Sequence, residues 1–388
     1  MNNAINNENK KLNVPNLRFP EFQGEWEKCK LSEICTFFSG GTPSSSNKDF
    51  YGGNIAFIRS GELHADSTEL FITQAGFDSS SAKMVEIGDL LLAMYGATSG
   101  DIAVSKIKGA INQAILCIRT KQNKKFIESV WNKHVSKNLR KYLQGGQGNL
   151  SADIVKGISF FFPTLKEQEK IANLVSLLDE RIATQNKIID KFQTLIKGIV
   201  DSTILRKEKN AIVGDVCSIS EQIRAEANID DIITVRLHGN GVCKSSAENL
   251  QLGATQYYRR RAGQLIYGKQ NFHNGAIGIV PISLDNGITS KDIPSFDIDE
   301  MKCNSVYLLA QLQSPQYYKP AEALTTGTGS KRLKEDTFLK MPIVLPNKRE
   351  QDNIATLIIS ISANLDQAKK MLDLFSIQKQ YLLRQMFI

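Results

Sequence analysis

The sequence predicts an α+β fold built twice: two globular α/β modules held apart by two long helices that form an antiparallel coiled coil, a pseudo-twofold internal repeat. Three observations predict it. First, Pro163-Thr-Leu-Lys-Glu167-Gln168-Glu-Lys-Ile171-Ala172 returns 183 residues later as Pro346-Asn-Lys-Arg-Glu350-Gln351-Asp-Asn-Ile354-Ala355. At the same offset Leu174/Leu357, Lys187/Lys370, Asp190/Asp373 and Phe192/Phe375 also match. Second, each copy opens a long amphipathic run. Third, each copy is preceded by short apolar runs punctuated by Gly, Asn and Asp, the pattern of strands and turns. A repeat this long is not a solenoid unit. It marks two globular modules, each followed by a similar helix.

Residues 1–20 are expected to be a flexible N-terminal segment, and its first eleven residues are polar, without the apolar stretch of a secretory leader. The first module spans 21–163. It opens on a strand-like stretch, Lys30–Cys35, followed by a glycine-serine loop, Ser39–Ser46. Strands are expected at Ile55–Ile58, Asp89–Ala93 and Ala114–Ile118, and a helix at Lys125–Leu143. A second flexible loop, Gly145–Asn149, leads to a last strand, Ile158–Phe162, stopped by Pro163. Residues 164–208 form the first long helix, and 209–346 form the second module. There Val213–Cys217 echoes Leu31–Cys35, and Gly263-Gln-Leu-Ile echoes Gly88-Asp-Leu-Leu. Leu333 and Asp336 match Leu150 and Asp153, and Pro342–Pro346 closes the module as a strand. Residues 347–388 are the second long helix. The modules are alike at their ends and unlike in their middles.

The long helices carry a heptad seam. In the first, Val175, Ile182, Ile189 and Ile196 occupy a positions, with Ile171, Leu178, Gln185, Phe192 and Ile199 at d. In the second, Ile358, Leu365, Leu372 and Met386 are at a, with Ile354, Ile361, Ala368, Phe375 and Leu382 at d. Gln185 and Lys379, the latter at an a site, interrupt the pattern. A stripe this narrow suits a helix packed on one partner, and about forty residues give roughly 60 Å of rod.

Little in the sequence carries catalytic chemistry. The formal charge of +8 is compatible with a polyanionic partner. No segment approaches the ~18 apolar residues of a membrane span, and a cytoplasmic protein is expected. Six cysteines without a CxxC pair and four isolated histidines match neither a zinc site nor a disulfide framework. Gly263-Gln-Leu-Ile-Tyr-Gly268-Lys269-Gln270 follows the phosphate-loop pattern until Gln270 replaces the metal-binding hydroxyl, and reads as a loop between strands. There is no GxSxG elbow and no HExxH. The loops are better candidates. Gly40, Gly41, Ser44, Lys48 and Tyr51 offer donors on a flexible backbone, as do Gln147 and Asn149. The second module adds Tyr257, Arg259, Arg260, Lys269, Asn271, Lys331 and Arg332. Small residues let donors approach phosphates, Lys and Arg neutralise them, and Arg, Asn and Gln can read base edges. Solvated turns are the plain alternative.

Phe38-Ser-Gly-Gly-Thr-Pro-Ser44, then Tyr51-Gly-Gly-Asn-Ile-Ala-Phe-Ile-Arg-Ser-Gly-Glu-Leu63, and the two Pro-x-x-x-Glu-Gln-x-x-Ile-Ala helix starts resemble the specificity subunits of type I restriction–modification enzymes. Ala56-Phe57 stands where that family commonly has Pro-Trp, and the Trp after Tyr51 is missing. The resemblance implies two target-recognition domains, each reading half of an asymmetric bipartite site in double-stranded DNA. It brings Thr42 and Arg59 into the candidate DNA-binding set. It also implies that Ile171, Leu178, Ile182, Ile189 and Phe192 pack against Ile354, Ile361, Leu365, Leu372 and Phe375 as the spacer. Two modification (methyltransferase) subunits, and restriction subunits through them, are the implied partners. S-adenosylmethionine, ATP and magnesium then belong to those partners, with no cofactor or metal in this non-catalytic chain and no membrane. Two other readings stand beside it: a coiled-coil adaptor that binds no nucleic acid, and a stand-alone nuclease or ATPase.

Overall fold

The computed structural model describes residues 12–142, 149–245, 255–327 and 331–388, and the apolar runs of the sequence form the central strands of its sheets. The chain divides into two units, Met1–Thr184 with Met371–Ile388, and Gln185–Lys370.

The strands of unit 1 are β1 (Glu27–Lys30), β2 (Cys35–Ser39), β3 (Tyr51–Ile58), β4 (Phe71–Ile72), β5 (Lys83–Val85), β6 (Leu90–Ala93), β7 (Ile102–Val104), β8 (Gly109–Ile111), β9 (Ile115–Thr120) and β10 (Ser159–Phe162). Its helices are α1 (Leu31–Ile34), α2 (Gln74–Asp78), α3 (Lys124–Tyr142), α4 (Ala152–Gly157) and the first half of α5 (Leu165–Val200). An antiparallel sheet of order β2-β9-β6-β7 forms the frame, and a second sheet of order β4-β3-β8-β5 is specific to this unit. Leu90 and Leu92 pack with Trp26, Phe126 and Trp131, while Leu91 and Ala93 pack on the other side with Ile58, Val85 and Ile111. Burial on both faces explains why this strand is a continuous apolar run and does not alternate. Lys30–Cys35 departs from expectation. Its middle is the helical turn α1, closed by the Lys30 N–H donating to the Glu33 carboxylate at 2.8 Å and filled by buried Leu31.

Unit 2 has β11 (Ala211–Ile212), β12 (Cys217–Ile219), β13 (Arg224–Ala225), β14 (Ile233–Val235), β15 (Val242–Lys244), β16 (Tyr257–Arg260), β17 (Leu265–Tyr267), β18 (Ile277–Ile279), β19 (Gly287–Ser290), β20 (Ser295–Ile298) and β21 (Pro342–Ile343). Its helices are α6 (Ser305–Leu312), α7 (Pro315–Tyr318), α8 (Glu335–Leu339) and the first half of α9 (Lys348–Met386). The order β12-β20-β17-β18 reproduces the frame of unit 1, and the β11–β21 pair reproduces β1–β10. Gly88 and Gly263 both take a positive φ, 89° and 87°, and donate to the matching carbonyls of Ser105 and Val280 at 2.8 and 2.9 Å. The middles differ: unit 2 has a β13-β16-β19 sheet and a β14–β15 pair instead. Two expectations need correction. The closing strand is only Pro342–Ile343, and the Gly263–Gln270 stretch holds a buried strand, β17, at its centre.

The repeated glutamine fastens each long helix to its module. Gln168 Nε2 donates to the Pro163 carbonyl at 2.8 Å while Oε1 accepts the Asn123 N–H at 3.1 Å. Gln351 does the same with Pro346 at 2.8 Å and Asn304 at 2.8 Å. Asn123 and Asn304 in turn cap α3 and α6, accepting from Phe126 and from Val306 and Tyr307. The far ends also correspond. In unit 1 Phe387 packs 5.2 Å from Phe126, and in unit 2 Ile204, matching it at offset 183, joins the core with Phe338. The first helix stops at Val200 and continues as a π-helical turn, Asp201–Leu205, short of the expected 208. Every heptad position named above is buried or half-buried. Within unit 1 Asp179 meets Lys379 and Arg181 lies over Phe375; within unit 2 Gln185 Nε2 donates to the Ala368 carbonyl at 3.1 Å. The rising and falling numbers make the contact in unit 1 antiparallel.

Candidate nucleic-acid interface

In unit 2, two separately predicted basic motifs come together around one loop. Lys269, just after β17, donates its N–H to the Asp292 carbonyl at 2.9 Å, and its own carbonyl accepts the Leu333 N–H at 2.9 Å. Arg332 Nη2 lies 3.4 Å from the Asp292 carboxylate, Lys269 Nζ 2.6 Å from Glu335, and Lys331 Nζ 3.3 Å from Glu322. Thr326 and Arg332 exchange two backbone bonds of 3.0 Å, and Lys331 and Arg332 are exposed. Asn271 is exposed, its Oδ1 accepting from Asn274 at 3.1 Å in a turn closed by left-handed Gly275. The pairing of Asp292, Glu322 and Glu335 with these cations is not legible in the sequence, because only the fold brings them together. The Lys331–Glu322 and Arg332–Asp292 pairs are exposed and therefore weak, so a phosphate can displace their carboxylates, whereas the Lys269–Glu335 pair is mostly buried.

The Tyr257–Arg261 run splits by direction. Arg259 is exposed on β16, and Arg224, also exposed, stands on β13 opposite Tyr258. Arg224, Arg259 and Arg261 carry no ion pair among the described residues. Sequence reasoning passed over Arg224, which stands alone in the chain and gains neighbours only through the β13–β16 pairing. Arg260 and Tyr257 are corrections: both are buried. Successive strand residues face opposite sides, and Arg260 turns inward. It donates from Nε to Thr289 Oγ1 at 2.7 Å, from Nη1 to Ser295 Oγ at 2.9 Å and from Nη2 to the Ile293 carbonyl at 3.0 Å. Burial pulls its pKa down to about 10. Its role is to hold the Ser290–Ile293 loop that carries Asp292.

In unit 1, Gly40 and Gly41 are also corrections. A Cβ on Gly40 would lie 1.7 Å from the Ile111 carbonyl oxygen, and one on Gly41 would lie 2.0 Å from Ser81 Oγ. These glycines are buried and let the loop pack closely on Ile111 of β8 and on Ser81. Thr42 Oγ1 donates to Gln113 Oε1 at 2.6 Å and the Tyr51 hydroxyl to the Pro43 carbonyl at 2.8 Å, pinning the same loop. Ser44, bonded to Ser46 at 2.7 Å, and Lys48 are exposed beyond it. Arg59 is exposed but its guanidinium is engaged by Glu62 at 2.8 Å. Asn149 is exposed beside Leu150, whose N–H bonds the Met94 carbonyl just as Leu333 bonds Lys269. Gln147 lies outside the described residues.

Among the described residues no group of His, Cys, Asp and Glu is placed to hold a metal ion. Burial pushes the thiols of Cys117, Cys217 and Cys303 up to about 12, which removes them as nucleophiles. No described helix is long and apolar enough to cross a membrane.

A family model described as the type I restriction modification DNA specificity domain matches residues 23–193. The chain is 20% identical over 389 residues to the type I restriction enzyme MjaVIII specificity subunit of Methanocaldococcus jannaschii, covering 91% of this chain and 89% of that one. It is 27% identical over 196 residues to the EcoR124I/EcoR124II specificity subunit of Escherichia coli, covering 48% and 45%. The S subunit structure of a type I restriction-modification system from M. genitalium superposes with a TM-score of 0.65 at 13% identity, over 97% of this chain and 99% of that one, a likeness of fold. The duplicated frame, the matched domain and these relatives agree: residues 23–193 carry a type I restriction modification DNA specificity domain, and the chain as a whole is similar to type I restriction–modification specificity subunits.

Proposed function

We propose that the chain is the sequence-specific DNA-binding subunit of a type I restriction–modification complex, reading an asymmetric bipartite target. The observation that carries this reading is the contrast within the repeat. Both modules keep the same four-stranded frame and glutamine-anchored helix, but each builds a different sheet between them. A protein that keeps its frame and varies its middles has two different surfaces to present. In this reading Lys48, Ser44 and Asn149 of the first module, and Arg224, Arg259, Lys269, Asn271, Lys331 and Arg332 of the second, face the duplex. The paired helices act as the antiparallel spacer between the modules. Two modification subunits dock on the chain and supply methyl transfer, with restriction subunits joining through them. S-adenosylmethionine, ATP and magnesium act in those subunits, in the cytoplasm, and this chain itself catalyses nothing.

The test is a salt titration of DNA binding by the assembled complex. Replacing Lys331 and Arg332 by alanine is expected to weaken binding and to lower the slope of log affinity against log salt by about 1 for each phosphate the protein no longer neutralises. Unchanged affinity and slope would remove that loop from the interface. The absence of salt-sensitive binding altogether would favour the adaptor reading.

A further inference from the structure

The repeat makes two cradles that are equivalent in position and opposed in chemistry. In unit 1, Lys125 Nζ of α3 lies 2.6 Å from Glu128 and 2.8 Å from the Asp179 carboxylate on α5. The other oxygen of Asp179 lies 2.5 Å from Lys379 Nζ on α9. Counted from the capping asparagines, the equivalents of Lys125 and Glu128 in unit 2 are Val306 and Leu309. At offset 183 the equivalents of Asp179 and Lys379 are Ser362 and Ile196. These four are among the residues lining a cavity of about 480 Å³ in unit 2, whose lining also includes Lys197 and Asp201. A charged cluster in one unit therefore stands where the other has apolar groups and one hydroxyl.

This matters because the apolar seam positions of the second halves of α5 and α9 match in character, although only Asp190/Asp373 and Phe192/Phe375 are identical between them. Leu372/Ile189, Phe375/Phe192 and Leu382/Ile199 are apolar at both, and among the matched heptad positions of this stretch only Lys379/Ile196 differs in charge. The cradle of unit 1 could accept the second half of α5 from another molecule as well as its own α9, unless something distinguishes them. We propose that Asp179, clamped between Lys125 and Lys379, is the positioning residue that assigns the C-terminal half of α9 to unit 1 and rejects the equivalent half of α5 from a second copy of the chain. With Ile196 in place of Lys379, the half-buried carboxylate is left with one of its two cations and gains only methyl groups. A single polar residue at an a position is known to fix helix register and pairing at a cost in stability. The inference rests on contacts within unit 1 and stands whether or not the chain reads DNA.

The test uses two full-length versions of the protein with different affinity tags, co-expressed, with capture through one tag and quantification of the other. Wild-type copies are expected to stay separate. Lys379→Ile is expected to raise mixed capture several-fold while leaving the melting temperature the same or higher, since isoleucine packs better than lysine in a helical seam. Lys379→Arg should return capture to the wild-type level, a rescue that packing alone does not predict. Asp179→Asn, which keeps the shape and removes the charge, carries the same test if Lys379→Ile fails to fold. Wild-type capture levels in both variants would overturn the assignment, and so would free mixing of wild-type copies. DNA binding is not read in this experiment, so its failure would leave the proposed function standing.

Discussion

Arg259 and Arg260 are neighbours on β16 with opposite surroundings, one in solvent and one wholly buried among Thr289, Ser295 and Ile293. Arg260→Ala would leave two buried hydroxyls short of a partner and a cavity behind, a loss of about 3 kcal/mol in stability read by thermal or denaturant unfolding. Arg259→Ala should leave stability within about 0.5 kcal/mol and instead reduce the salt slope of DNA binding by about 1. The reverse pattern would exchange their roles. In the sequence both belong to one basic run, because the strand is four residues long and the groups that claim Arg260 lie about thirty residues further on. Gly40 and Gly41 are misread for the same reason. Their smallness is legible, but the Ile111 carbonyl and Ser81 that require it are set by tertiary pairing.

At the scale of elements, the glutamine of the repeated motif explains why the motif repeats. Each Gln168 or Gln351 ties three parts together: the proline that ends a strand, the first turn of a long helix, and the asparagine that caps a second helix. Gln168→Ala should therefore cost about 2 kcal/mol and speed hydrogen exchange at the starts of α5 and α3 together, with Gln351→Ala doing so at α9 and α6. Faster exchange in the long helix alone would contradict the three-way tie. The long helices, α3 and the central strands were legible because each declares itself by local periodicity. The turn α1 was not, since Leu-Ser-Glu-Ile satisfies strand alternation equally well and the Glu33 bond to Lys30 decides it. The sheets of the two middles were illegible as well. They depend on pairings such as the parallel match of Phe57 with Ala110, which no local pattern announces.

For the molecule as a whole, the account depends on one arrangement used twice: a frame kept constant and a surface allowed to vary. The matched specificity domain makes DNA the proposed partner, and in that reading the unlike middle sheets face two unlike halves of the target. Neither the bases nor their separation follows from residue chemistry, because shape and deformability of the duplex contribute to recognition along with side-chain contacts. Methylome sequencing of a host carrying this chain with its modification subunits tests the central claim most directly. The account predicts methylation at a split site whose two half-sequences differ and are separated by a fixed unread gap. Replacing Arg224 and Arg259 together by alanine is expected to relax specificity at one half-site and leave the other intact. A continuous or palindromic site, or methylation indifferent to this chain, would contradict it.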